Sequence, residues 1–186
     1  MNARRLSAVS TLFVASLLLL FSLARPHVSS ADAVSFGPHD VRSIFYVAKS
    51  ENQNQVHYAM RVDANCKPSA KAPVFAYWRR LRKGVRYDEP LLPPGTRLYG
   101  ASDEQDVVAN KTGSVVRMYV KALKRLPIDI QVEKLNGTCK TTATVTLKGE
   151  RARLSYAYLQ LGRLGITVKY VDVVGYRVRD GVKVVQ

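Results

Sequence analysis

The chain has 186 residues, of which 47% are hydrophobic and 23% are charged. This balance excludes wholesale disorder, and the length allows one ordinary domain. Lysine and arginine number 29 against 14 acidic residues, a formal net charge of +15, while two cysteines and three histidines are too few for a zinc ribbon or an array of c-type haems. The composition therefore predicts one basic, folded domain.

Residues 1–33 have the pattern of a secretory signal peptide. Arg4 and Arg5 precede a mostly apolar run at 11–23, and small residues follow it. This run is shorter than the roughly 20 residues of a permanent membrane helix. We therefore expect export to the periplasm or the exterior, with no permanent membrane span after cleavage; an uncleaved anchor is the alternative. The mature chain, 34–186, keeps 26 basic and 13 acidic residues.

Cys66 and Cys139 are the only cysteines in the chain. In an oxidising compartment an even number of cysteines favours a disulfide, so we predict that these two are joined. Two buried free thiols are the alternative. On the chain-entropy model the bridge would stabilise the fold by roughly 4 kcal/mol.

The mature chain begins with segments that predict strands. The predicted strands of its first half are 43–49, 56–62, 74–79 and 115–121, the last paired with 105–109. Apolar residues alternate with other residues at 56–62, as expected for a strand with one buried face.

The C-terminal half predicts consecutive hairpins. Residues 128–133 alternate apolar and polar, and Asn136-Gly137 tolerates the positive φ values of a type I′ turn. A two-residue loop there places Val132 opposite Thr141. A second turn at Gly149-Glu150 would place Val145 opposite Leu154. The same alternation puts Tyr156, Tyr158 and Tyr170 on the inward face.

The predicted fold is all-β. We expect a single antiparallel β-barrel or β-sandwich of about nine or ten strands, because no helical face follows the leader. Residues 80–104 break the pattern with Pro90, Pro93, Pro94 and Gly95. This long Pro/Gly-containing loop could hold a short helical turn and cover one end of the barrel.

The first candidate site is the polar segment 49–55 with the histidine that follows it. Lys49, Asn52, Asn54 and His57 are candidate ligand contacts; a hairpin loop whose amides and serine bond the local backbone is the alternative. Ser50 and His57 are weak catalytic candidates. Ser50 lies in no Gly-x-Ser-x-Gly turn, and spacing identifies no acidic partner for His57. We assign no catalytic residue.

The second candidate site is Tyr77-Trp78-Arg79. It contains the only tryptophan of the chain, and five of the eight residues 79–86 are basic. Basic groups beside aromatic rings can bind anions or stack on sugars, whereas a core strand before a solvated loop is the alternative. No nucleic-acid motif or Gly-rich phosphate loop occurs, so we expect no nucleic-acid partner. His27 and His39 support no metal site, and we expect no cofactor.

These two segments carry a resemblance to a known family. The stretches 45–58 and 73–79, with Cys66-Lys67-Pro68, Tyr99-Gly100 and Cys139, resemble exported bacterial proteins of the family domain of unknown function 4833. The resemblance implies export, one domain and an all-β fold, and it transfers no activity. The Pro/Gly-rich residues 90–95 depart from it, since a more helix-like segment is expected there.

We therefore expect a secreted or periplasmic binding module without catalysis. Its partner would be an unknown small molecule or an anionic or amphipathic component of the cell envelope, such as an anionic polymer. One alternative is an envelope hydrolase or transferase that uses the 49–58 segment. Another is a structural or interaction protein of the envelope.

Overall fold

The computed structural model describes residues 43–50, 52–69, 72–110, 113–123, 126–163 and 167–186. The predicted signal peptide, which contains His27, and the following segment with His39 lie outside the described residues. Export and the boundary between residues 33 and 34 therefore stay predictions.

Strands make up most of the described residues. They are β1 (Phe45–Lys49), β2 (Asn52–Met60), β3 (Val74–Arg82), β4 (Val85–Pro90), β5 (Asp106–Asn110), β6 (Gly113–Met118), β7 (Ile128–Leu135), β8 (Thr138–Leu147), β9 (Glu150–Leu161), β10 (Val168–Arg177) and β11 (Lys183–Val185). A short helix, α1 (Gly95–Tyr99), and a 3₁₀ turn (Lys121–Leu123) complete the described elements. The all-β prediction is confirmed. Within the described ranges no helix is long and apolar enough to cross a membrane.

The strands of the described residues form one sheet that is not closed, in the order β4-β3-β2-β1-β9-β8-β7-β6-β5. One edge of β9 pairs with β8 along Glu150–Arg153 and then with β1 along Tyr156–Leu159, while its other edge carries β10 and, beyond it, β11. The sheet thus divides at β9 into a first half-sheet, β1–β4, and a second half-sheet, β5–β8. Of the two predicted architectures, the closed barrel is wrong. The β1–β9 pair is parallel, whereas an antiparallel sheet was predicted.

The core lies between the two half-sheets. One hydrophobic cluster contains Phe45 and Tyr58 of the first half-sheet, Val116 and Ile130 of the second, and Leu159 of β9. Each such side chain contributes about 1.5–3 kcal/mol when it is fully buried. This shared core holds the half-sheets together.

A disulfide joins Cys66, which lies between β2 and β3, to Cys139 on β8. The predicted bridge is confirmed. It links the two half-sheets covalently across a sequence separation of 73 residues.

The register of the first C-terminal hairpin is confirmed. Val132 lies opposite Thr141, and the turn residues Asn136 and Gly137 have φ values of 51° and 77°. These are the positive φ values that a type I′ turn requires and that an Asn-Gly pair adopts at low cost.

The register of the next hairpin is shifted from the predicted one. The turn is Lys148-Gly149, with φ values of 48° and 79°, so that Val145 lies opposite Ala152. The sequence predicted the turn one residue later, at Gly149-Glu150, and therefore placed Val145 opposite Leu154. That predicted partner was wrong by two residues. A slip of two keeps every side chain on its own face, and the hydrophobic pattern therefore did not reveal it.

The alternation of β9 changes phase at Ser155. Leu154 is buried before it and Ala157 after it, and β10 has a register shift opposite this point. One extra residue turns the following side chains to the other face. Tyr156 and Tyr158 are therefore only partly buried on the outer face, and Tyr170 is exposed, contrary to the inward placement that was predicted.

Residues 80–104 contain more regular structure than predicted. β3 extends to Arg82 and pairs through a Lys83-Gly84 turn with β4, a strand that was not predicted. The irregular connection follows β4, and its short helical turn is α1. This connection lies at the end of the first half-sheet, where it forms one wall of a pocket.

Candidate ligand-binding site

The inner pocket is a cavity of about 640 Å³ between the end of the first half-sheet and the connection that carries α1. It is lined by Lys49, Trp78, Arg80, Glu89, Pro90, residues 92–95, Leu98 and Tyr99. Trp78, Arg80 and Glu89 share the core-facing side of the half-sheet, because Trp78 is paired with buried Val56 and with Glu89.

A cation lies over two aromatic rings in the inner pocket. The Lys49 Nζ atom is 5.0 Å from the centre of the Trp78 ring and 5.8 Å from that of Tyr99. The two rings meet edge to face with centroids 6.0 Å apart. Within the described residues Lys49 has no ion pair. A partly buried ammonium group on an aromatic wall is suited to contact an anion and a ring together.

A second cation of the pocket is already compensated. The Arg80 guanidinium lies 5.7 Å from the Trp78 ring centre, and its Nε atom is 3.1 Å from the Glu89 Oε2 atom. Among the described residues Lys49 therefore supplies a positive charge without an ion pair, while Arg80 and Glu89 supply a polar rim.

The position of Tyr99 depends on the core. The buried Tyr58 hydroxyl donates a hydrogen bond of 2.6 Å to the Tyr99 carbonyl oxygen. Burial raises the pKa of Tyr58 well above its ordinary value, so the hydroxyl stays protonated and keeps donating. The N-terminus of α1 packs closely, since a Cβ atom on Gly95 would lie 2.9 Å from the Leu91 Cδ1 atom and 3.4 Å from the Trp78 Nε1 atom.

The outer face of the first half-sheet, which points away from the core, carries a row of rings. Tyr156, Tyr46, His57 and Tyr77 stack across β9, β1, β2 and β3, with successive centroids 5.3, 5.2 and 5.7 Å apart. Register explains the row, because these residues are cross-strand neighbours. The row is packed rather than open, since His57 and Tyr77 are both buried.

The hydrogen bonds of His57 define its protonation. Its Nε2 atom is 2.8 Å from the Gln55 Oε1 atom, which can only accept, so Nε2 carries the proton. Its Nδ1 atom is 2.6 Å from the Ser43 Oγ atom, which also lies 3.2 Å from the Phe45 carbonyl oxygen, and the Arg79 Nη1 atom is 3.4 Å away. Burial, with a smaller contribution from the Arg79 charge, lowers the pKa of His57 to about 4. The imidazole is therefore neutral near pH 7.

Arg79 and Asp88 form a paired bridge beside His57. The Arg79 Nε and Nη2 atoms donate to the two Asp88 carboxylate oxygens, each at 2.9 Å, and Nη2 also donates to the Tyr77 hydroxyl at 3.1 Å. The hydrogen bonds to Asp88 raise the pKa of Arg79, and those from Arg79 lower the pKa of Asp88. This pairing leaves Arg79 engaged within the fold.

The predicted binding residues are thus divided between two faces. Lys49 and Trp78 meet in the inner pocket, whereas His57, Tyr77 and Arg79 lie on the outer face. Asn54 accepts a hydrogen bond of 3.3 Å from the Leu81 N–H, and Asn52 begins β2.

The polar segment is not a seven-residue loop, because β2 already begins at Asn52. The polar residues 52–55 are therefore part of a strand near the edge of the core. Because all four are polar, they lack the alternation of apolar and polar residues that predicts a strand. The Ser50 hydroxyl accepts a hydrogen bond of 2.9 Å from the Leu161 N–H, and His57 bonds Ser43 instead. The structure does not bring the two weak catalytic candidates, Ser50 and His57, together.

Sequence reasoning missed several pocket residues. Arg80, Glu89, Leu98 and Tyr99 follow the predicted strand at 74–79 and were not candidates. The Lys83-Gly84 pair was an available signal for a hairpin that brings Glu89 beside Trp78. The position of α1 had no comparable signal, since it depends on packing against β3. Among the described residues no three His, Cys, Asp or Glu side chains are grouped to hold a metal ion.

The comparison with known families agrees with the resemblance noted in the sequence. Residues 45–186 match the family model described as Domain of unknown function (DUF4833). The chain belongs to this family. The match spans every strand of the described fold and includes all residues of the inner pocket. No curated protein and no solved structure is detectably similar to the chain.

Proposed function

We propose that this protein is an exported binding protein whose inner pocket takes a ligand with an anionic group beside an apolar or ring-shaped face. The observation that carries the proposal is the Lys49 ammonium group over the Trp78 and Tyr99 rings, without an ion pair among the described residues. Concave, mostly apolar sites with a few placed polar groups are typical of small-molecule binding.

Two features support export and hence a ligand of the envelope. A disulfide persists in oxidising compartments, and residues 1–33 have the pattern of a secretory leader. Envelope lipids and glycans often carry phosphate or carboxylate groups next to apolar chains or sugar rings. Such molecules present both features that the pocket would recognise.

The first test uses the fluorescence of Trp78, the single tryptophan of the chain and a wall of the pocket. Three probes distinguish the anionic group from the apolar chain. Dodecyl phosphate, used below its micelle concentration, carries both, inorganic phosphate carries only the charge, and dodecyl maltoside carries an apolar chain without a charge. We expect a saturable change with dodecyl phosphate and a much weaker one with either of the others. Equal responses to all three probes, or none to dodecyl phosphate, would contradict the proposal.

A pair of variants tests the role of the charge. Lys49→Met keeps the length of the side chain and removes its charge, and we expect it to weaken dodecyl phosphate binding about tenfold. Lys169→Met removes a charge from the exposed start of β10 and serves as the control. Equal loss in both variants would indicate attraction to net charge rather than a site at Lys49.

The enzyme alternative has less support than the binding protein. It requires an accessible base on the 49–58 segment, whereas His57 is 4% exposed and hydrogen-bonded at both ring nitrogens. The Ser43–His57 contact of 2.6 Å is its one favourable feature. If the wild type hydrolysed a chromogenic ester or glycoside and the Ser43→Ala variant did not, the result would support the enzyme alternative.

A further inference from the structure

The tip of the β3–β4 hairpin, residues 81–87, is an unusual surface. All seven residues are exposed, and none of them is acidic. Three are large and apolar: Leu81 is 43% exposed, Val85 52% and Tyr87 47%. The others are the cations Arg82, Lys83 and Arg86, and a glycine. Single exposed apolar side chains are common on protein surfaces, whereas a group of them marks a contact surface.

The register of the hairpin tip places apolar and cationic side chains side by side. Leu81 lies opposite Arg86, and Arg82 lies opposite Val85. β4 is the edge strand at one end of the sheet, so no further strand of the described residues covers its outer edge. Both faces of the tip therefore present an apolar group beside a positive charge.

The charges of the hairpin tip are largely uncompensated. Among the described residues Lys83 and Arg86 form no ion pair, and Arg82 only approaches Glu89, with 3.9 Å between nitrogen and oxygen. The uncompensated charge is therefore carried by the same seven residues that expose apolar groups.

The turn between β10 and β11 provides a contrast within the same molecule. Val178 and Val182 are exposed there to a similar degree. The neighbouring Arg177 and Arg179, however, pair with Glu150 at 2.7 and 3.2 Å. Exposed valines thus occur at both turns, but the arginines of the β10–β11 turn are paired with a carboxylate, whereas Lys83 and Arg86 of the hairpin tip are not, within the described residues.

We propose that the hairpin tip docks this protein on an anionic lipid surface. Leu81, Val85 and Tyr87 would enter the boundary between head groups and acyl chains, where tyrosine and branched aliphatic side chains are stabilised. The cations would reach the lipid phosphates while their methylene stems stay among apolar groups. This inference does not depend on the ligand of the inner pocket.

Docking by the hairpin tip would bring the inner pocket close to the lipid. Tyr87 lies opposite Arg80, which lines the pocket, and exposed Leu92 and Leu98 stand at the pocket wall. An amphipathic ligand could then pass from the surface into the pocket without crossing water. This consequence would connect the docking surface with the proposed function if both hold.

The test is co-sedimentation of the full chain with vesicles. One set contains phosphatidylcholine mixed with phosphatidylglycerol, and the other contains phosphatidylcholine alone. We expect binding to the anionic set only, and a decline with added salt. Binding to both sets alike, or to neither, would overturn the proposal.

Three variants locate the contact. Arg82→Gln/Lys83→Gln/Arg86→Gln should weaken binding to the anionic vesicles about 100-fold, since each charge near such a surface contributes roughly fivefold. Leu81→Ser/Val85→Ser/Tyr87→Ser should also weaken it at least tenfold. Val178→Ser/Val182→Ser is the control and should bind as the wild type does. Cooperative denaturant unfolding verifies that each variant is folded.

The apolar variant separates a membrane from a soluble polyanion. If it binds as tightly as the wild type while the charge variant fails, the tip is a polyanion site and the proposal is wrong. Loss of binding in the Val178→Ser/Val182→Ser control would also contradict it. The Lys49→Met variant should keep vesicle binding, so failure of the pocket and failure of the docking surface are distinguishable.

Discussion

The Lys49 ammonium group lies 5.0 Å from the centre of the Trp78 ring, although the two residues belong to strands that are separated by β2. Both side chains project from the core-facing side near the same end of the first half-sheet. Tyr99 reaches the same cation from α1. The contact therefore combines three elements that are not neighbours along the chain.

Replacing Trp78 distinguishes a ligand contact from a core residue. Trp78 is partly buried against the core, so Trp78→Ala should cost about 2–3 kcal/mol of unfolding free energy and leave the fold intact. It should abolish dodecyl phosphate binding in calorimetry, while Trp78→Phe retains part of it. Loss of cooperative unfolding in Trp78→Ala would instead assign Trp78 to the core alone.

Removing the disulfide should weaken the link between the half-sheets. The cysteines are separated by 73 residues, and on the chain-entropy model their bridge stabilises the fold by about 4 kcal/mol. We expect Cys66→Ala/Cys139→Ala to lower the free energy of urea unfolding by about that amount. Reduction of the wild type is the matched comparison. An unchanged urea midpoint in both would show that the bridge adds nothing to stability.

Acid should destabilise the protein through His57. Its pKa is about 4 in the folded chain and 6.5 when unperturbed, so the unfolded chain takes up the proton first as pH falls. Stability is therefore complete above pH 6.5 and declines towards pH 4, by about 2–3 kcal/mol between pH 7 and pH 4.5.

The His57→Gln variant isolates this contribution. Asp88, whose pKa is lowered by Arg79, also loses stabilisation as pH falls, and that part should persist in the variant. Urea midpoints across the same pH range should therefore fall less steeply in His57→Gln than in the wild type. Identical slopes would show that His57 does not titrate as described.

Gly113 should be far less replaceable than Gly137. Both have positive φ values, but a Cβ atom on Gly113 would collide with the Val132 carbonyl oxygen, whereas one on Gly137 would meet nothing within 4 Å. We expect Gly113→Ala to cost about 3 kcal/mol or more and Gly137→Ala about 1 kcal/mol. Thermal unfolding of the two variants provides the comparison, and equal losses would contradict this account of the β6–β7 contact.

Local sequence patterns were sufficient to predict much of the fold. The alternation at 128–133 and the Asn136-Gly137 turn predict the β7–β8 pairing, because side-chain period and turn type together define a register. The even cysteine count predicts the bridge, since two thiols in an oxidising compartment have one possible partner each. These inferences depend on neighbours along the chain or on counting.

Tertiary structure alone decided which residues meet at the site. The parallel pairing of β1 with β9 joins segments more than a hundred residues apart, and the irregularity at Ser155 sends Tyr156 outward beside Tyr46. No local sequence pattern indicates this pairing or this irregularity, because both arise from the way in which β1 and β8 share one edge of β9. The sequence by itself therefore identified Lys49 and Trp78 as candidates, and only packing placed them together and apart from His57.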